Sequence, residues 1–203
     1  MTLVTTGPGP AEYVLTRPAG RARARALLVL GHGAGGDITA PDLTALRDAA
    51  VAARVAVALV TQPYRVAGRR SAPPAKTLDQ AWVEVVAAVR AEAGQKLALV
   101  LGGRSSGARV ASRTARGLGA AGVVGLAFPL HPPGRPEVSR VAELDPELPT
   151  VIVNGDRDPF GVPEPAGLIE VVVRPGERHD LRKDPSATAG AVVDWLRRHG
   201  WAG

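Results

Sequence analysis

Apolar residues fall along this chain in blocks with two different periods. Residues 26–30 (ALLVL), 55–60 (VAVALV) and 96–101 (KLALVL) are short, nearly unbroken apolar runs closed by glycine or polar turns, a pattern that predicts strands buried on both faces. Residues 122–130, 150–154 and 168–174 predict three more strands. Between the runs the period changes. A helix is predicted from Pro41, a favoured first helical residue, to about Arg54. Another follows at Thr77-Leu78-Asp79-Gln80, which has capping-box spacing. There Leu78, Trp82, Val85, Val86 and Val89 recur at helical intervals until Gly94. Residues 105–116 predict a helix stopped by Gly117. A last helix opens at Asp184-Pro185, turns Ala189, Val192, Val193 and Leu196 to one side, and ends at Gly200. The proline-rich stretch 131–149 has room for little more than one short helix. Of the Pro/Gly-rich start, only residues 12–17 predict a strand. Strands alternating with helices at this spacing imply an α/β fold, a mainly parallel sheet with helices on both faces and no large lid. No internal repeat interrupts it, and the 203 residues fit a single domain, 1–203.

Composition sharpens this picture. The chain is 45% hydrophobic but only 3% aromatic, so the core must be built from valine, alanine and leucine. There is no cysteine, which excludes disulfides, thiolate metal sites and a cysteine nucleophile. The net charge is +6 and the isoelectric point about 10.6. Most of the basic residues are scattered arginines, read as a solvated surface rather than a nucleic-acid footprint. The densest run, Arg21-Ala22-Arg23-Ala24-Arg25, leads into apolar residues 26–30 and superficially imitates a signal peptide. The apolar stretch is too short and too far inside the chain for that, and no run is long enough to span a bilayer. A cytoplasmic protein that binds neither membrane nor nucleic acid is the expectation.

The candidate chemistry centres on Gly103-Arg104-Ser105-Ser106-Gly107, at the junction of a predicted strand and a predicted helix. A serine in that turn is held with its oxygen exposed, and small residues two before and two after it avoid clashes across the turn, so Ser105 is a candidate nucleophile. A serine hydroxyl needs a base, and the base an orienting acid. Downstream lie two histidines. His199 is accounted for by the helix dipole at the end of the last helix. His179, in a loop just past the valine-rich strand, is the better base. For the acid, Asn154-Gly155-Asp156-Arg157-Asp158-Pro159 offers two carboxylates that residue type alone barely separates. The segment Gly31-His32-Gly33-Ala34-Gly35-Gly36 has two readings. It spells the dinucleotide fingerprint, but Pro41 starts the helix too late for that motif and the next strand ends without an acid. In a hydrolase the same loop would present a backbone N–H, that of Ala34, to a developing oxyanion, with the N–H of Ser106 as second donor.

With LVLGHGAGG, LVLGGRSSGAR, VIVNGDRDPFG and the His179 loop in this order, the chain resembles an alpha/beta-hydrolase over nearly its whole length. It is most similar to the short, lidless dienelactone-hydrolase-like proteins, in particular the group that includes testis-expressed protein thirty and subunit three of the NSL acetyltransferase complex. The motifs shared with that group are GHGAGG, Tyr64-Arg65, GGRS, FPLHPPG and DPFG. The resemblance implies that the acid is Asp158 rather than Asp156. The chain departs from the group at Ser106, often methionine, and at Ala108, where the group has glycine. Together these readings imply a serine hydrolase acting on a small ester, thioester or lactone, with Tyr64, Arg65, Arg104 and His131 as candidate pocket residues and with no cofactor or metal. The alternatives are a non-catalytic interaction module on the same fold and a dinucleotide-binding reductase.

Overall fold

The structure is a computed structural model describing residues 1–20 and 23–203; Arg21 and Ala22 of the basic run lie outside the described residues. Eight strands form one sheet in the order β1-β2-β4-β3-β5-β6-β7-β8. The central strands are β3 (Ala26–Gly31), β4 (Val55–Thr61), β5 (Ala98–Arg104), β6 (Gly122–Leu126) and β7 (Thr150–Gly155), with β8 (Ile169–Arg174) at one edge. These six run parallel. At the other edge β1 (Thr2–Thr6) and β2 (Gly9–Thr16) form an antiparallel hairpin, with β2 antiparallel to β4.

Successive side chains of β3 go to opposite faces, as strand geometry requires. Leu28 and Leu30 join one apolar layer with Leu43, Leu46, Val192 and Trp195, and Leu27 and Val29 join the other with Trp82, Val85 and Val110. The first layer is covered by α1 (Pro41–Ala52) and α5 (Pro185–Arg198), and the second by α3 (Ala75–Ala93) and α4 (Ser106–Thr114). A one-turn helix, α2 (Pro63–Val66), follows β4 directly. Asp184 caps α5 by accepting from the Ala187 N–H at 2.9 Å.

Three details depart from the sequence expectation. Strand β1 is present where only a Pro/Gly-rich lead was read, because Gly9, at φ 131°, closes a tight hairpin. Helix α3 starts at Ala75, ahead of Thr77: Pro74 occupies the N-cap, no side chain among the described residues caps the helix, and Gln80 donates to Glu84 at 3.3 Å instead of closing a box with Thr77. Strand β6 stops at Leu126 rather than at 130, since Ala127 adopts φ 47° and the Phe128 N–H goes to the Asn154 side chain at 2.8 Å. The stretch 131–149 agrees with expectation, its one helical element being a 3-10 turn, Val141–Glu143. No helix among the described residues is long and apolar enough to cross a membrane.

Helix α4 crosses β3 so closely that a Cβ on Gly107 would run into the carbonyl of Gly31. Gly107→Ala is therefore expected to cost about 3 kcal/mol, because backbone must move to admit the methyl group. At this chain length that lowers the melting temperature by about 6–12 °C, read by thermal unfolding.

Candidate active site

The turn from β5 into α4 takes one residue. Ser105 makes it at φ 51° and ψ −108°, in the left-handed region that a non-glycine residue enters only under constraint. Its own N–H is anchored on the Leu126 carbonyl at 2.8 Å. A Cβ on Gly103 would strike the Gly31 carbonyl just as one on Gly107 would, so glycine is needed on either side of the serine. Both serve the same purpose, to let β5 and α4 close on the end of β3.

Two loops at the same sheet edge bring their side chains to this serine. The loop after β8 carries His179, whose Nε2 lies 2.9 Å from Ser105 Oγ. The loop after β7 carries Asp158, whose Oδ2 lies 2.8 Å from His179 Nδ1. An ionised carboxylate can only accept, so Nδ1 carries the proton and Nε2 is left to accept the serine O–H. The Asp158 side chain is fully buried; its Oδ1 accepts the Phe160 N–H at 2.9 Å and Asn154 Nδ2 reaches Oδ2 at 3.4 Å. Phe160 meets the His179 ring edge-on, with centroids 4.5 Å apart. Asp156 points elsewhere, accepting the Gly176 N–H at 2.7 Å in a turn. His199 bonds the Trp195 carbonyl and stacks on Trp201, apart from this group.

Ser105 and His179 open onto a cleft of about 410 Å³, which Ala34, Ser106 and Arg104 also line. Among the described residues the N–H groups of Ala34 and Ser106 have no hydrogen-bond partner. The glycine loop that carries Ala34 folds over the elbow: Gly36 donates to the Gly33 carbonyl at 3.1 Å, and a Cβ on Gly33 would lie 3.6 Å from that of Ser105. Helix α1 begins only at Pro41, so no helix amino terminus follows the glycines as a pyrophosphate site requires. Among the described residues no group of three or more His, Asp or Glu side chains could hold a metal ion.

The other pocket candidates are placed differently. Tyr64 is only 3% exposed and packs under the glycine loop against His32, with ring centroids 5.8 Å apart; α2 turns it inward as soon as β4 ends. Arg65 donates to the Arg69 carbonyl, and the His131 ring packs beside Gly161. None of these three lines the cleft. Arg104 does line it, and its charge is already engaged. It forms a 3.1 Å ion pair with the fully buried Asp42 and donates to the His179 carbonyl at 3.1 Å. Burial pushes the Asp42 carboxyl up, against the pull of Arg104. Arg109, Arg113, Arg140, Leu78 and Phe160 line the cleft and were not read as cleft residues from sequence. For two of them a signal existed: Arg109 and Arg113 follow Ser105 at four-residue steps, which share one helix face.

A serine at a one-residue turn between strand and helix, with a histidine and a buried aspartate brought to it, is compatible with an alpha/beta-hydrolase fold. Residues 24–171 match the model of the alpha/beta hydrolase domain family, so the chain belongs to that family. No curated protein sequence matches it significantly. Among solved structures it is similar to XC6422 from Xanthomonas campestris, a lidless a/b serine hydrolase, at 18% identity and a TM-score of 0.79 over 98% of this chain and 93% of that one. An alpha-beta serine hydrolase homologue from Coxiella burnetii gives 19% identity and a TM-score of 0.80, covering 97% and 95%. Dienelactone hydrolase from Anabaena variabilis gives 19% and 0.75, again over 97% and 95%. At these identities the likeness is one of fold.

His32, passed over in the sequence, pins the glycine loop. It is 2% exposed; Nδ1 donates to the Gly33 carbonyl at 2.8 Å and Nε2 accepts the Gln62 N–H at 3.1 Å. Burial holds its pKa below the usual value, so the folded protein keeps it neutral. The unfolded chain binds that proton more readily, so His32 contributes stability above about pH 6.5 that is lost as the pH falls below it. Denaturant unfolding at about pH 7.5 and 5.5 should show a smaller acid loss in His32→Gln, which keeps a donor and an acceptor without titrating.

Proposed function

We propose that the chain is a serine hydrolase of carboxylic esters, thioesters or lactones, with Ser105 as nucleophile, His179 as general base and acid, and Asp158 as the group that orients the imidazole. The single observation carrying this reading is the unbroken relay from Ser105 Oγ to His179 Nε2 at 2.9 Å and from Nδ1 to Asp158 at 2.8 Å. His179 takes the hydroxyl proton as Oγ bonds to the substrate carbonyl carbon. The resulting oxyanion receives the N–H groups of Ala34 and Ser106. Collapse breaks the bond to the leaving group, which takes the proton from His179. Water, deprotonated by the same imidazole, then attacks the acyl-enzyme; collapse breaks the bond to Ser105 Oγ, which takes the proton back from His179, and the acid is released. Asp158 remains ionised throughout and stabilises the imidazolium.

The cleft is open and the segment between β6 and β7 holds one 3-10 turn, which favours small or exposed substrates. The serine hydrolases among its structural neighbours support the reaction class.

A fluorophosphonate probe should label the wild type at Ser105, and the wild type should hydrolyse short 4-nitrophenyl esters, with both activities absent in Ser105→Ala. Equal reactivity of the two proteins sinks the reading in favour of a non-catalytic module. Asp158→Asn leaves the shape of the site but presents the imidazole wrongly; the expected loss in kcat is about 10⁴-fold, the size seen for that change in serine proteases.

A further inference from the structure

Among the described residues four arginines line the cleft and no carboxylate does. Three are neutralised from behind. Arg104 pairs with Asp42. Arg109 meets Glu143 through two nitrogens, Nε to Oε2 at 2.8 Å and a second, shorter contact. Arg113 bonds both oxygens of Asp79, at 2.9 and 2.6 Å, and reaches Glu143 at 3.1 Å. The fourth, Arg140, has no carboxylate partner among the described residues. Its Nη1 alone is held, donating to the carbonyls of His131 at 3.0 Å and Pro129 at 3.4 Å. Nε and Nη2 are left without a protein partner among the described residues, and together they form the edge of a guanidinium that matches a carboxylate in two parallel hydrogen bonds. Glu143, three residues further on, is not available to it, being shared by Arg109 and Arg113.

The surroundings favour an anion at that edge. Arg140 is half-buried, and the charges acting on it are two cations, Arg109 and Arg113, against the one anion Glu143. Burial first, and then the charge of Arg109, pull its guanidinium below the usual arginine value, as an uncompensated cation requires. The remaining wall is apolar, with Leu78, Pro129, Pro133 and Phe160 facing the same space.

We propose that Arg140 is the specificity-determining residue of this cleft and receives a carboxylate at the far end of the substrate's acyl chain, so that monoesters of short dicarboxylic acids are preferred over neutral esters. The proposal rests on the hydrolase reading of Ser105, and its test separates the two. Hydrolysis of mono-4-nitrophenyl adipate is compared with that of 4-nitrophenyl hexanoate, with the rate given by Ser105→Ala subtracted as background. The wild type should favour the charged ester in kcat/KM by about tenfold, equivalent to 1.4 kcal/mol. Arg140→Gln should bring the ratio close to one, with Arg140→Lys between them, since an ammonium keeps the charge but loses the fork. A wild type that handles the neutral ester equally well, or a ratio unchanged in Arg140→Gln, overturns the proposal. Because Arg140→Gln also removes two loop hydrogen bonds, a second measurement uses Ser105→Ala with Arg140 intact. Calorimetric titration with adipate should show binding that weakens as salt is added; no binding overturns the anion site. Adipate binding without hydrolysis of either ester overturns the hydrolase reading and keeps the anion site.

Discussion

The site depends on a contact between backbones. Where β3 ends, the carbonyl of Gly31 stands against Gly103 on one side and Gly107 on the other, with no space for a side chain at either. The sheet and α4 can be this close only if the chain reverses within one residue, and that residue is Ser105, held at φ 51°. Such a conformation costs on the order of 1–3 kcal/mol and persists only where the surroundings over-determine it. Here they do, through the glycine contacts, the Ser105 N–H on Leu126 and the packing of α4 on the sheet. The reversal places both Ser105 and the first residue of α4, Ser106, whose N–H has no partner among the described residues, at the cleft, so one packing constraint positions the two together.

The second feature is how charge is held around that turn. Asp42 is fully buried and its carboxyl is pushed up by burial, so the ion pair with Arg104 is weak evidence of net stability. What it does is fix a position. Arg104, tied to Asp42 at one end, holds the His179 carbonyl at the other, and so constrains the imidazole loop from its backbone while Asp158 constrains the ring. Residue 104 precedes the serine in sequence, so the segment that carries the hydroxyl also braces the loop of His179.

What was legible in the sequence was local. Unbroken apolar runs marked the buried parallel strands because both faces of each are covered, and the glycines around Ser105 marked the turn because only glycine fits there. His179 could be preferred over His199 because the latter sits at a helix end with a sufficient reason of its own. Asp158 and Asp156 were not separable by residue type; what divides them is burial beside Asn154 and Phe160, which is a tertiary fact, and the family resemblance supplied the preference. Tyr64 and Arg65 were misread because the chain coils into α2 directly after β4 and carries the tyrosine under the glycine loop. The arginines on α4 were readable from four-residue spacing. Arg140, on an irregular segment, was not.

An open cleft limits what its arginines can do. Without a lid, water reaches the polar groups and salt screens them, so a single exposed ion pair is worth little. The paired arginines are spent on structure: Arg109 and Arg113 tie α4 to the 3-10 turn and to α3, and with their carboxylates matched they offer a ligand little net charge. A half-buried guanidinium fixed through one nitrogen by loop carbonyls is different in kind. Its orientation is set before any ligand arrives, so little side-chain entropy remains to be lost, and the residue lines the same cleft as Ser105. In a site that cannot exclude solvent, selectivity has to come from preorganised donors of this sort rather than from enclosure.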